Sequence, residues 1–222
     1  MKKDKASIIR TYDSIADDFD ATRYKPWPDT VQFAEMFSPG QLMLDLGCGN
    51  GRDLRHLQDK GIKVIGMDIS SGQLTVVRRR ATEAPDVVQG DVTNLPFRDC
   101  TAHGAILVAT LHHIPDSGER LAALHEVHRC LMPGGLCLVG VWAAEQAKFK
   151  DNIARAKMEF QHDWEPGDML LDWKLPDGRV FQRYYHLFSE KEFDGLLAES
   201  DFDVEERFYS AENHYAVLRK LR

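Results

Sequence analysis

The 222-residue sequence predicts an α/β fold, a mainly parallel sheet with helices on both faces. Three observations carry that prediction. Short apolar runs alternate with amphipathic stretches along most of the chain. Runs such as AILVA are apolar throughout, as in strands covered on both sides. A spaced-glycine loop, LDLGCGNG, joins the first run to the helix that follows it.

Taken in order, Ser7–Phe19 is an amphipathic helix, with Ile8, Ile9, Tyr12, Ile15, Ala16 and Phe19 at helical spacing. Residues 29–37 form another, opened by Pro28 and Asp29 and closed by Pro39–Gly40. Leu42–Leu46 is the first strand, and Gly51–Lys60 a helix that ends at Gly61. Ile62–Met67 is a strand, Ser71–Thr82 a helix and Asp86–Gln89 a short strand. Ala105–Ala109 is a buried strand and Ser117–Leu131 a helix. Pro133–Gly134–Gly135 is a turn before the strand Leu136–Trp142. Residues 143–180 become polar, carry Trp164, Trp173 and a Pro–Asp–Gly turn at 176–178, and read as an insertion. Ser189–Ser200 is a helix with a capping-box pattern, Ser189 followed three residues later by Glu192. Phe202–Phe208 and Tyr215–Leu218 close the fold, and their short loop makes them antiparallel. The expected organisation is one domain over 1–222. Residues 1–40 form a helical cover, and 143–188 an insertion and substrate-side segment.

Composition narrows the function classes. Hydrophobic content of 43% and charged content of 28% are those of a globular protein. No apolar run approaches the roughly 18 residues a membrane span needs, and MKKDKASIIRTYDSIADDF lacks the apolar centre of a secretory signal. A cytoplasmic protein that contacts no membrane is expected. A net charge of −7 argues against broad, non-specific nucleic-acid binding. Arg78–Arg80 and the Lys148–Lys157 region are candidate local basic patches, each also readable, more simply, as a solvated helix face. Cys48, Cys100, Cys130 and Cys137 form no CxxC pair, so free thiols are expected and no metal site in this chain.

Gly47, Gly49 and Gly51 let the backbone turn tightly and approach a ligand. Such a loop alone also suits a dinucleotide. Three carboxylates shift the balance. Asp45 sits just before the loop, where it would repel a pyrophosphate but suit a cationic tail. Asp68 ends the second strand, where an acid accepts from ribose hydroxyls. Asp91 follows the third strand, in QGDV, and is placed to accept from an adenine amino group. Ribose, adenine and an ammonium-bearing tail together describe S-adenosyl-L-methionine.

The segments LDLGCGNG, GMDIS, QGDVTNLPF, VATLHHI and LMPGGLCLVGVW resemble the class I S-adenosylmethionine-dependent methyltransferases. The resemblance implies a Rossmann-like, seven-stranded, mostly parallel sheet whose last strand is antiparallel. It also implies cofactor contacts at Gly47 and Gly49, at Ile69 and Val92 beside the strand-end acids, and at Ala109 and Thr110.

Arg23, Tyr24, Lys25 and Trp27, in ATRYKPWP, precede the first strand. A second cluster, QRYYHLF, holds Arg183 and His186, and His112–His113 follows the fourth strand. Arginines near a transferable methyl would grip an anionic acceptor bidentately, and the rings would stack on a base; the alternatives are that Tyr24 and Trp27 pack the N-terminal helices onto the sheet and that Arg183 forms a structural ion pair. Arg23, Tyr24, His112, Arg183 and His186 are the candidate acceptor-side residues; His113 is expected to face the core or cap the next helix. The pieces YDSIADDFDATRYKPWP, LHHI and RYYHLF resemble the wobble-uridine tRNA methyltransferases, which esterify 5-carboxymethyluridine. That resemblance implies a tRNA anticodon-loop substrate and a heterodimer with a small zinc-binding activator protein, the zinc belonging to the partner. A small-molecule methyltransferase of the same fold, acting on a quinone or other metabolite, is the alternative.

Overall fold

A computed structural model describes residues 3–81, 85–160 and 164–221. Nine strands and seven α-helices follow one another through these residues. Helices α1 (Lys5–Thr22) and α2 (Pro28–Ala34) precede β1 (Leu42–Leu46), α3 (Arg52–Asp59) and β2 (Lys63–Asp68). Then come α4 (Ser71–Arg80), β3 (Val87–Gln89), β4 (Ala102–Val108), α5 (Ser117–Cys130) and β5 (Leu131–Trp142). The C-terminal part holds α6 (Lys150–Phe160), β6 (Asp168–Lys174), β7 (Val180–His186), α7 (Glu190–Ala198), β8 (Asp203–Ser210) and β9 (Asn213–Arg219). Thr82, expected to end α4, lies outside the described residues.

Seven strands form one sheet in the order β3-β2-β1-β4-β5-β9-β8. β1 through β5 pair in parallel, and β9 runs antiparallel between β5 and β8. The strand order reverses between β1 and β4, so the carboxyl ends of these strands open a crevice there. One core layer packs Leu107, Leu124, Val127, Phe188 and Phe193 on one face of the sheet. Phe33, Leu54, Leu57, Ile106 and Leu138 pack on the other. Both faces are therefore covered, which is why the strands carry few polar residues.

Pro133–Gly134–Gly135, expected as a turn, lies within the span of β5 instead. Leu131 pairs with Ala102, and pairing resumes at Leu136 with Gly104, so the intervening residues bulge, with Gly134 at φ +82°. Helix α1 begins at Lys5, two residues before the expected start, because Asp4 caps it by accepting from the Ser7 amide at 2.7 Å. The capping box at α7 is half made. Ser189 Oγ accepts from the Glu192 amide, but the Glu192 carboxylate bonds to His186.

The polar insertion contains a hairpin that was not expected. β6 and β7 pair antiparallel across the Pro–Asp–Gly turn, apart from the main sheet. In the paired register Leu171, Trp173, Phe181, Arg183 and Tyr185 share one face, and Asp168, Leu170, Tyr184 and His186 the other. Helix α1 crosses between this hairpin and α4. Its Asp13 accepts from Ser70 Oγ at 2.6 Å and the Gly72 amide at 2.8 Å, and its Thr11 donates to the Gln182 carbonyl. Arg79 and Arg80, in the expected basic segment of α4, pair with Asp17 and Asp20 of α1. Among the described residues, no helix is long and apolar enough to cross a membrane.

Candidate active site

A cavity of about 480 Å³ opens at the carboxyl ends of β1, β2, β3 and β4, beneath α1. That volume suits a small organic ligand. Gly47 and Gly49 line it, with φ of +78° and +53°. The Gly47 amide donates to the Met67 carbonyl at 2.7 Å, which ties the loop to β2. A Cβ on Gly47 would lie 2.1 Å from Thr110 Oγ1, so only glycine fits. Thr110 in turn donates to the Leu46 carbonyl at 2.9 Å, joining the ends of β1 and β4. Ala109, also on the cavity wall, holds the left-handed φ of +58° that a non-glycine residue rarely adopts.

Asp68 lines the same wall and accepts from the Gly49 and Ser70 amides, both at 2.8 Å. Burial raises its pKa above the ordinary carboxylate value, against the pull of those amides. Ile69, Asp91 and Val92 also line the cavity. Asp91 accepts from Thr93 and forms an ion pair with Lys5 of α1 at 2.8 Å. Burial opposes its charge, but these partners outweigh it and lower its pKa. Asp45 is buried and lies outside the lining, and its Oδ2 has no hydrogen-bond partner. Burial, then the charges of Asp53 and Asp68, hold its pKa well above the usual range.

Acids with raised pKa values beside a cavity favour a cation. An incoming ammonium or sulphonium pulls those values down, so the acids ionise as the ligand binds. Calorimetry in mildly acidic buffers of different ionisation enthalpy is therefore expected to show protons released on cofactor binding, with affinity rising with pH. Proton uptake would contradict the assignment of these acids.

On the acceptor side, Arg23, His112 and Arg183 line the cavity. Arg183 is 6% exposed, and no carboxylate among the described residues pairs with it. Its Nη1 donates to the Tyr185 hydroxyl at 2.6 Å, and its Nε has no partner. His112 is buried, and its Nδ1 accepts from the Trp142 amide at 3.4 Å, leaving the proton of the neutral ring on Nε2. Burial, then the neighbouring His113, His186 and Arg183, hold its pKa well below the imidazole value. His113 neither faces the core nor caps α5. It lines the cavity, with Nδ1 donating to the Tyr184 carbonyl at 3.0 Å and Nε2 accepting from Tyr12 at 2.9 Å. Burial lowers its pKa to about 3, so it is neutral.

Two expected acceptor-side residues lie elsewhere. Tyr24 is 61% exposed and outside the cavity lining, beside Lys25. His186 is fully buried on the opposite face of β7, between Asp168 at 2.8 Å and Glu192 at 2.6 Å. Burial disfavours its charge, but the two carboxylates outweigh that and raise its pKa. Lys3 also pairs with Asp168, and Arg120 with Glu165, so the acidic group Glu165, Asp168 and His186 already holds positive charge. His186→Ala is expected to cost about 1–3 kcal/mol of stability, measured by denaturation, because buried acceptors lose their donor. Because the folded pKa is raised, this contribution is full below about pH 6.5 and is lost as pH rises through the raised value.

Sequence reasoning missed Gln73, Arg52 and Tyr12, all on the cavity wall. Gln73 is 1% exposed, and neither side-chain polar atom has a partner, as expected of a group awaiting ligand. Arg52 lies over the Trp27 ring at 4.5 Å, and the Trp27 amide donates to Asp53 at 2.9 Å. Trp27 also lines the cavity, which accounts for one ring of the ATRYKPWP segment.

A glycine cradle that a Cβ would fill, an orphaned buried carboxylate oxygen and an unpartnered glutamine amide fit S-adenosylmethionine. With the strand order, they define a class I S-adenosylmethionine-dependent methyltransferase. The model of the "Methyltransferase domain" family matches residues 44–139. An Encephalitozoon cuniculi protein named as a methyltransferase is 34% identical over 96% of this chain and 95% of its own. The Schizosaccharomyces pombe tRNA (carboxymethyluridine(34)-5-O)-methyltransferase is 28% identical over 96% of both chains. The Xenopus tropicalis enzyme of the same name is 29% identical over 96% of this chain, which spans 41% of that protein's length. The chain belongs to the methyltransferase family that includes these carboxymethyluridine enzymes. Among solved structures, a Methanosarcina mazei S-adenosylmethionine-dependent methyltransferase superposes with TM-score 0.72 at 22% identity, over 89% of this chain and 99% of that one. A Haloferax volcanii methyltransferase solved with the Trm112 methyltransferase activator gives 0.66 at 18% identity, over 95% and 98%.

Proposed function

We propose that this methyltransferase esterifies the carboxylate of 5-carboxymethyluridine at the wobble position of a tRNA anticodon loop. The observation that carries this reading is Arg183, a buried guanidinium on the cavity wall with no acid partner among the described residues and a bare Nε. A buried cation without a counter-ion is costly, and an anionic acceptor offsets that cost. Relatives named for the same reaction support the choice of acceptor.

Bound S-adenosylmethionine supplies an electrophilic methyl group. Asp68, Ile69, Gln73, Asp91, Val92, Ala109 and the Gly47–Gly49 backbone would hold it, and Asp45, buried outside the lining, would add its charge. The chain's other task is to hold the acceptor in line and keep water out. A carboxylate is ionised at neutral pH and needs no general base. The neutral, doubly bonded His113 agrees with that, since neither of its nitrogens is free to take a proton. His112 offers a donor, and Arg23 a second guanidinium in the same cavity as Arg183.

A small zinc-binding activator protein completes this reading as partner, in the manner of the Haloferax volcanii complex. It would add RNA-binding surface to a chain of net charge −7. Four free cysteines suit the reducing setting of the cytoplasm. The test incubates the protein and activator with methyl-labelled cofactor and tRNA carrying 5-carboxymethyluridine. Alkali-labile label in the RNA is expected. Base-stable label, or label in small metabolites alone, would overturn the reading.

A further inference from the structure

We infer that Trp173, in the inserted hairpin, is a positioning residue that holds Arg183 and Arg23 together as one receptor for the acceptor's negative charge. The inference rests on the proposed carboxylate acceptor and names what makes the site selective for it.

A buried arginine is ordinarily held by a carboxylate. Such a partner here would neutralise the guanidinium and compete with an anionic acceptor. Arg183 is held differently. Its Cζ lies 4.5 Å from the Trp173 ring centroid and 5.2 Å from that of Tyr185. Aromatic faces attract a cation without occupying its N–H donors. Nη1 donates to the Tyr185 hydroxyl, the Tyr12 hydroxyl lies close to the guanidinium, and Nε remains bare.

The same indole serves Arg23. The Arg23 Cζ lies 5.6 Å from the Trp173 centroid, although it comes from the end of α1, far away in sequence. Among the described residues its guanidinium donates to the neighbouring Thr22 carbonyl at 3.1 Å and meets no carboxylate. Both guanidiniums also line the one cavity, so an anion there is attracted by two positive charges that share a ring.

Trp173 is itself fixed. It is 9% exposed, its Nε1 donates to Asp18 Oδ2 at 2.7 Å, and it packs on Phe19 at 5.7 Å. The nearby acid is thereby bonded to the edge of the indole rather than to a guanidinium. In the hairpin register Trp173, Arg183 and Tyr185 stand on one face, so the insertion delivers ring, cation and hydroxyl together. The charge-reading part of the site is thus carried by an element outside the main sheet.

The test uses anticodon stem–loops bearing either 5-carboxymethyluridine or the neutral 5-carbamoylmethyl analogue. Binding of each to the full-length protein with its activator, loaded with S-adenosylhomocysteine, is measured by calorimetry. Wild type is expected to prefer the carboxylate. Trp173→Leu is expected to lower that preference by about tenfold, and Trp173→Phe by only about threefold, since a benzene ring is the weaker cation platform. Cofactor-product affinity should be unchanged in both, which a general loss of structure would not allow. Equal preference in wild type and Trp173→Leu overturns the inference. Should Trp173→Leu lose cofactor-product binding, Trp173→Phe decides alone, and an undiminished preference there overturns it. No preference in wild type also overturns it. Wild-type turnover of the carboxymethyl stem–loop tests the underlying reading separately. Turnover with preference retained in the variants sinks only the inference. No turnover, with preference lost in the variants, sinks only the reading.

Discussion

Arg183→Ala is expected to lower kcat/KM for the RNA acceptor by roughly 30- to 5,000-fold while leaving cofactor affinity unchanged. The range follows from about 2–5 kcal/mol for removing one partner of a buried, hydrogen-bonded charge pair. The large effect is expected because Arg183 is buried and shielded from salt, whereas Arg23 is exposed. Arg23→Ala should therefore cost less and respond more to ionic strength. Arg183→Lys should recover little, because a point charge cannot reproduce a planar fork stacked on rings. Steady-state kinetics beside calorimetry with the cofactor separates these effects. An equal loss of turnover and cofactor affinity would make Arg183 a structural residue.

Gly47→Ala is expected to abolish measurable cofactor binding in a protein that still folds. The left-handed φ of +78° costs a side chain about 1–2 kcal/mol, and the crowding adds about 1–3 kcal/mol. The added methyl would meet Thr110 Oγ1, the atom that bridges to the Leu46 carbonyl. Either the loop lifts or the β1–β4 stitch breaks, and both deform the cofactor wall. Gly134→Ala makes a useful contrast, since it shares a positive φ of +82° but has open space around it. It should lose stability with cofactor affinity intact. Calorimetry and thermal denaturation of both variants distinguish the two losses, and normal cofactor binding by Gly47→Ala would contradict the assigned cradle.

The central sheet was legible in the sequence because its signals are local. Apolar strands, helix caps and glycine turns each depend on neighbours within a few residues, and β1 to β5 follow that pattern. Asp68 and Asp91 were legible for a related reason: parallel α/β topology sends consecutive strand ends to one crevice, so both line the cavity, whereas Asp45 is buried outside its lining. The acceptor side was harder. Arg183 and His186 are three residues apart on one strand, yet one lines the cavity and the other lies within a buried ion network. Side-chain type did not separate them; the alternation of a strand would have, had the Pro–Asp–Gly turn been read as a hairpin. Tyr24 and Trp27 diverge similarly, since the Asp53 carboxylate fixes the backbone of Trp27 and Tyr24 projects outward. Gln73 and Trp173 were illegible because their meaning is non-local. Gln73 matters for the partners it lacks, and Trp173 for its bond to Asp18, 155 residues distant.

The most direct test of the central claim is mass spectrometry of wobble nucleosides in tRNA from cells with and without this gene. Loss of the gene should replace the methyl ester of 5-carboxymethyluridine with the free acid, and restoring wild type, but not Arg183→Ala, should bring the ester back. Identical wobble nucleosides in the two populations, with the ester present in both, would contradict it.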